Sequence, residues 1–325
     1  MREVIAITGA TGFVGSTLVD VLGKESRYEL HAFGRRDWRN KYVATYTKWD
    51  ITAGPLGREE SPPVDILIHC AGSVSDWGTD AEMYTANVAG TQNVLQSFAK
   101  ARQCIFISTA SVYDPRSSKC NLREDASLPQ RYFNSYAASK AAAEREALQS
   151  KIPFVSVLRP HAVYGKGDTK ILPRLLSARR AGRQIIIGNG RHDVSLTAVE
   201  NLAEAVRCAI EHPQEREIFN IADGKRYQLL SVIDLILREA HYPKKYIHVP
   251  VSLAYILAVM SEGIYKGFQI HKPPLLTRYV FSQLTEEYTL DISKAQRMLN
   301  YQPTYVLEDM VSGILAGIDC ASSSS

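Results

Sequence analysis

Cysteine is scarce in this chain. Its 325 residues hold five, at Cys70, Cys104, Cys120, Cys208 and Cys320. None stands in a CxxC pair and the number is odd. This argues against a disulfide framework or a zinc site and fits a reducing cytoplasm, with no metal expected. Long hydrophobic runs are also missing. The first apolar run is broken by Gly9 too early for a secretory signal. The most apolar later stretch, Leu253 to Met260, is far too short to cross a bilayer, so no integral membrane segment is expected. Charge of one sign is lacking as well: 38 Lys and Arg oppose 34 Asp and Glu, a net +4. The surplus is small and scattered, which speaks against nucleic acid as a partner. No internal repeat is visible, and the low-complexity terminal run Ser322 to Ser325 is set apart from the fold.

Apolar residues make up 45% of the chain and charged residues 22%, an ordinary globular balance. The length allows a sizeable core without covalent staples. The first half alternates short β-branched runs with helical patterns. Val4–Ile7, Glu29–Phe33, Asp65–His69, Cys104–Ser108 and Phe154–Leu158 read as strands. Gly12–Leu22, Glu82–Ala101 and Ser135–Gln149 read as helices. Continuous apolar strands separated by helices predict an α/β fold with a doubly wound parallel sheet of the Rossmann kind. After Pro160 the pattern loosens, with helices expected at Lys170–Ala181, Val199–Glu211 and Leu230–Ala240. The expected division is a dinucleotide-binding domain over 1–165 and a smaller C-terminal substrate-binding lobe over 166–321, with part of 190–240 returning to the main sheet.

The first strand runs into Thr8-Gly9-Ala10-Thr11-Gly12-Phe13-Val14-Gly15. Glycines at this spacing let the chain turn tightly and bring backbone N–H groups to a pyrophosphate at a helix N-terminus. Gly9, Thr11, Gly12, Phe13, Val14 and Gly15 are therefore expected to bind a dinucleotide. The second strand ends in Phe33-Gly34-Arg35-Arg36, and the nearest carboxylate, Asp37, follows both arginines. A carboxylate at the strand tip would repel a 2′-phosphate, whereas a guanidinium grips it. Arg35 and Arg36 thus favour NADP(H) over NAD(H).

Of the 17 tyrosines, only Tyr136 has a lysine, Lys140, four residues later. On a helix the two share a face. A nearby ammonium stabilises phenolate, so Lys140 is expected to lower the pKa of Tyr136 and fit it for proton transfer. The strand Cys104–Ser108 leads into Thr109-Ala110-Ser111-Val112-Tyr113. That puts the Thr109 hydroxyl at a strand's carboxyl end, where parallel sheets bind ligands.

Together with His69-Cys70-Ala71-Gly72, Asn87 to Asn93 and Arg159-Pro160-His161-Ala162-Val163-Tyr164-Gly165, these motifs resemble the extended short-chain dehydrogenases/reductases, the NAD-dependent epimerase/dehydratase superfamily. The resemblance spans nearly the whole chain. It implies catalytic roles for Thr109, Tyr136 and Lys140, with Tyr136 and Lys140 also touching the cofactor. It implies further cofactor contacts from Asp50, Ile51, Ala71, Gly72, Asn87, Pro160 and Val163. Asp114 departs from the glycine frequent in the family. A homodimer through the Glu82–Ala101 and Ser135–Gln149 helices is also implied.

Two branches compete within the superfamily. Nucleotide-sugar enzymes usually carry an arginine after a GxG turn; here Val194 follows Gly188-Asn189-Gly190 in its place. Gly78 to Asn93 and the apolar stretch up to Thr277 look more like the 3β-hydroxysteroid dehydrogenase-like branch. The expected activity is interconversion of a ketone and a secondary alcohol on a small hydrophobic 3-keto or 3-hydroxy substrate, steroid-like or acyl. A sugar-nucleotide epimerase or dehydratase is the alternative, and a non-catalytic NADP(H)-binding regulatory protein is a second. The Pro250 to Leu284 segment, broken by Gly263, Gly267 and Pro273-Pro274, is expected to form mobile apolar pieces over an apolar pocket.

Overall fold

A computed structural model describes residues 2–322 apart from 58, 76, 115–118, 133 and 271. Ser323 to Ser325 lie outside the described residues. In chain order the first half runs β1 (Glu3–Thr8), α1 (Phe13–Leu22), β2 (Tyr28–Gly34), β3 (Val43–Lys48), β4 (Ile66–His69), α2 (Asp80–Tyr84), α3 (Gly90–Ser97), β5 (Gln103–Ile107), α4 (Ser135–Leu148) and β6 (Phe154–Pro160). The second half runs β7 (Val163–Tyr164), α5 (Ile171–Ser177), β8 (Arg179–Arg180), β9 (Arg183–Ile187), β10 (Asp193–Ser195), β11 (Thr197–Ala198), α6 (Val199–Glu211), β12 (Arg216–Ile221), β13 (Arg226–Gln228) and α7 (Leu229–Glu239). It closes with β14 (Tyr246–Val249), α8 (Val251–Gly267), α9 (Arg278–Thr285), α10 (Ser293–Leu299) and α11 (Leu307–Ser322).

Seven parallel strands form the main sheet in the order β12-β6-β5-β4-β1-β2-β3. Every residue of β4 and β5 is buried, as expected for strands covered on both faces. One core layer joins Ile5 and Ile7 of β1 to Leu18 and Val19 of α1 and Leu202 and Val206 of α6. The other joins Leu67, Phe106 and Val157 to Ala143 and Ala147 of α4. The fold is thus the expected doubly wound sheet. Chain order reverses between β1 and β4, and open α/β sheets bind ligands outside the carboxyl ends of the strands at such a point.

Two strands of the main sheet escaped the pattern reading for a physical reason. β3 is an edge strand, Val-Ala-Thr-Tyr-Thr-Lys, with no buried residue. β12 opens on Arg216-Glu217, and only its last three residues are buried. Three helices differ from expectation. Glu82–Ala101 is not one helix: α2 and α3 are separated by a π-helical turn, Thr85–Ala89, which carries Asn87 inward. Lys170–Ala181 stops at Ser177 because Arg179–Arg180 turns back to pair with β9. The Pro250 to Leu284 segment does break after Gly267 and at Pro273-Pro274, but it runs unbroken through Gly263 as the 17-residue helix α8. Gly263 faces open space there, so its missing side chain leaves no gap.

The smaller lobe holds a three-stranded sheet, β14-β9-β8, and the β10–β13 pair, packed with α5, α7, α8, α9 and α11. No helix among the described residues is long and apolar enough to cross a membrane.

Candidate active site and cofactor cleft

The glycine loop lies at the switch point. Gly9 has φ +70, and a Cβ there would meet the Ala71 nitrogen at 2.7 Å. A Cβ on Gly15 would lie 2.2 Å from the Gly9 carbonyl oxygen. Backbone therefore packs on backbone, which only glycine permits. Gly12, which precedes Phe13 and Val14 at the start of α1, makes no side-chain cap, and the helix has no acidic residue in its first turn. That end offers backbone N–H groups and the positive end of the helix dipole.

The Arg36 guanidinium donates to the carbonyl oxygen of Thr11 at 3.2 Å, so it lies against the glycine loop. Arg35 and Arg36 are exposed, and Asp37 pairs with Lys48 at 3.1 Å. The Asp50 carboxylate accepts hydrogen bonds from the Thr52 backbone and hydroxyl, which hold its pKa down, with Arg35 adding to the effect. Ile51 is buried against Gly90, and Asn93 donates to its carbonyl oxygen at 2.7 Å. Ala71 and Gly72 follow β4 along the cleft. A Cβ on Gly72 would meet Asn87 Oδ1 at 2.7 Å. Asn87 is 1% exposed: Oδ1 accepts from the Ser73 backbone at 2.7 Å and Nδ2 donates to Ser139 on α4 at 2.8 Å. Its amide ties the cleft wall to the helix bearing Tyr136. Pro160 ends β6, and Val163 begins β7 beyond Ala162, whose φ is +46.

Tyr136 and Lys140 stand one turn apart on α4, whose N-terminus is capped by the Asn134 side chain accepting from the Ala137 backbone at 2.8 Å. Alanines 137, 141, 143 and 147 are buried, so α4 lies close on the sheet. The Thr109 hydroxyl approaches the Tyr136 phenol closely enough to affect its ionisation. Thr109 donates to Ser111 Oγ at 3.0 Å, and Ser111 is 2.7 Å from the Tyr279 hydroxyl of α9. Three hydroxyls from β5's end and the smaller lobe thus form one chain, and the Tyr136 phenol of α4 stands beside it.

The electrostatics differ from the expectation. Burial pushes the Tyr136 phenol above its usual value, Tyr279 adds to this, and the Thr109 hydroxyl pulls it back. The Lys140 ammonium donates to the Ile107 carbonyl oxygen at 2.7 Å and sits 4.2 Å from the centre of the Phe106 ring. Burial lowers its pKa to about 8. Desolvation therefore outweighs the helical Tyr–Lys spacing at this phenol.

Sequence reading missed four groups. Ser111 and Tyr279 meet only through the fold. Glu144, one turn beyond Lys140, accepts from both nitrogens of a bidentate Arg159 at 2.9 and 2.6 Å, and Ser108 also donates to it. The visible signal was Tyr136, Lys140 and Glu144 at successive intervals of four. His69 is 1% exposed, between Thr8 Oγ1 at 2.7 Å and Thr91 Oγ1 at 2.9 Å.

Burial lowers the His69 pKa to about 3, with Lys140 adding to the effect. The native state thus refuses a proton that the unfolded chain accepts below about 6.5. Stability present above pH 6.5 is lost as the pH falls toward 3. Lowering the pH from 7 to 5 should cost about 2 kcal/mol through this group alone. Urea unfolding of wild type and His69→Gln at both pH values checks this. Identical pH dependence in the two proteins would contradict it.

A cavity of about 480 Å³ opens over Tyr136. Trp77, Met83 and Tyr84 line one part, and Arg131, Glu262, Lys266 and Tyr279 line another. The Pro250–Leu284 segment, expected to build an apolar pocket, does line this cavity, but through Glu262, Lys266, Thr277 and Tyr279 and not through the apolar run Leu253 to Met260. Those side chains face outward, with Leu253 47% and Met260 55% exposed, because the buried face of α8 is Ala254, Ala258 and Glu262. Val194 is buried in the smaller lobe's core. Among the described residues no cluster could hold a metal ion.

Residues 5–222 match the model of the NAD dependent epimerase/dehydratase family. The chain belongs to this family. It is an NAD(P)-dependent enzyme of the extended short-chain dehydrogenase/reductase type, within a family of oxidoreductases and epimerases. A 4-hydroxy-2-methyl-3-oxo-4-farnesyl-3,4-dihydroquinoline-1-oxide ketoreductase of Stigmatella aurantiaca is 29% identical over 313 residues, covering 91% of this chain and 90% of the relative. A 3beta-hydroxysteroid-dehydrogenase/decarboxylase, isoform 1, of Arabidopsis thaliana is 28% identical, covering 96% and 78%. In fold, the chain is similar to UDP-glucuronic acid 4-epimerase of Bacillus cereus in complex with NAD, with TM-score 0.76, 21% identity and coverage of 98% and 99%.

Proposed function

We propose that this protein interconverts a ketone and a secondary alcohol on a hydrophobic 3-keto or 3-hydroxy substrate, with NADP(H) as hydride partner. The observation that carries the reading is the Tyr136 phenol in the wall of the cavity, with the Thr109 hydroxyl close enough to ease its ionisation. Thr109 orients the substrate carbonyl. Tyr136, kept protonated by burial, donates its proton to the oxygen as negative charge develops there. Ser111 and Tyr279 hold the Thr109 hydroxyl in line. Lys140 is held by Ile107 on the cofactor side of α4, where it serves the nicotinamide ribose.

The glycine loop, the uncapped start of α1 and Arg35-Arg36 fit a dinucleotide phosphate, and the arginine pair favours the 2′-phosphate. When bound, the cofactor supplies or accepts the hydride. The reading keeps residues 1–165 as the cofactor domain and 166–321 as the substrate lobe, with β12 and α6 completing the sheet.

The ketoreductase and 3beta-hydroxysteroid relatives support an apolar substrate body, and Trp77, Met83 and Tyr84 offer a wall for it. Arg131 and Lys266 suit a polar group at the same substrate's head. They are also the one feature that favours a sugar nucleotide as a second reading. The test is kcat/KM across 3-keto substrates of increasing chain length. Each buried methylene should add about 0.8 kcal/mol, near fourfold, until the cavity is full. A flat series with a sugar nucleotide raising the melting temperature would favour the second reading.

A further inference from the structure

α8 is built inside out. Ala254, Ala258 and Glu262 form its buried side, against Phe281, Ile187, Val249 and Leu276. Its outer side carries Leu253, Ile256, Leu257 and Met260, each about half exposed, and the chain beyond it presents Phe268, 79% exposed. From Val251 to Ser261 the helix has no charge. Contiguous exposed apolar surface of this kind marks a docking face.

The charge around it is one-sided. Residues 169–192 and 241–285 carry eleven Lys and Arg and the single acidic residue Glu262, a net +10. The rest of the chain stands at −6 within a total of +4. The fold brings the two segments together: β9 pairs with β14, which leads into α8, and Arg174 donates to the carbonyl oxygen of Leu275 just beyond it. We infer that α8 lies in the interface of an anionic phospholipid bilayer, its outer side among the acyl chains and the exposed Lys and Arg of these two segments at the headgroups. Apolar area plus attraction of basic residues to anionic lipid is the pairing that holds interfacial helices. A second copy of the chain is disfavoured as the occupant, because a two-fold interface on this face would set +10 against +10. The helix that carries the docking face also walls the cavity over Tyr136, through Glu262 and Lys266.

The inference does not depend on which substrate the enzyme takes, and its test needs none. The purified full chain is floated with vesicles of phosphatidylcholine alone or with added phosphatidylserine, and its mass is read by light scattering. Wild type should bind the phosphatidylserine vesicles far better than the neutral ones, and high salt should weaken it. The exposed-face variant Ile256→Glu/Met260→Glu should lose binding to both while keeping its far-ultraviolet circular dichroism. Arg180→Glu/Arg183→Glu/Lys245→Glu should lose about a hundredfold on anionic vesicles only, since each basic residue at such a surface is worth about fivefold. No binding by wild type, or binding that the exposed-face variant retains, would overturn the inference. So would a wild-type dimer that the same variant splits into monomers.

Discussion

Tyr136→Phe is expected to lose about 10²–10⁴ in kcat while binding NADP(H) as tightly as wild type. The phenol contributes where charge develops on the substrate oxygen, so its removal acts on the transition state more than on the ground state. The hydroxyl chain sharpens the expectation. Thr109 beside the phenol is held by Ser111, which meets Tyr279. Losing the phenol leaves this chain intact up to Thr109, and substrate can still be oriented. The loss should therefore fall on kcat rather than KM. Fluorescence titration of the cofactor alongside steady-state kinetics checks both halves. A variant that keeps more than half of wild-type kcat would remove Tyr136 from the role of general acid.

Arg35→Asp, alone or with Arg36→Asp, is expected to weaken NADP(H) about ten- to a hundredfold and NAD(H) far less. A charge-assisted hydrogen bond is worth roughly 1.5–3 kcal/mol, and here it is replaced by repulsion. The structure strengthens the case at two points. Arg36 already lies against the glycine loop through the Thr11 carbonyl, and Asp37 is occupied with Lys48. Isothermal titration of both cofactors decides it. Equal affinity of the wild type for NAD(H) and NADP(H) would reject the choice of cofactor.

What could be read in the sequence was local. Gly9 to Gly15 announces a turn into a helix because the glycines and the strand before them are contiguous. Tyr136 and Lys140 share a helix face by spacing alone. The buried strands β4 and β5 are unbroken apolar runs, so the parallel sheet followed from them. What stayed hidden was made by contacts distant in sequence. Ser111 and Tyr279 are 168 residues apart, and nothing in either neighbourhood points to the other. Asn87 looked like a cofactor contact. The π-helical turn that carries it also sets its amide between Ser73 and Ser139, contacts that no spacing announces. The apolar 250–284 segment failed in an instructive way. Composition located the residues correctly, but only the packing of Ala254, Ala258 and Glu262 reveals that the large side chains point away from the cavity.

The central claim is net hydride transfer between NADP(H) and the carbonyl carbon of an apolar substrate. The most direct measurement uses NADPH deuterated at the transferring carbon, a hydrophobic 3-keto substrate and mass spectrometry of the product. The account predicts one deuterium on the new carbinol carbon and one NADP⁺ formed per alcohol, both slowed by about 10²–10⁴ in Tyr136→Phe. Unlabelled product with no net consumption of the cofactor, together with turnover of a sugar nucleotide to its epimer, would contradict it.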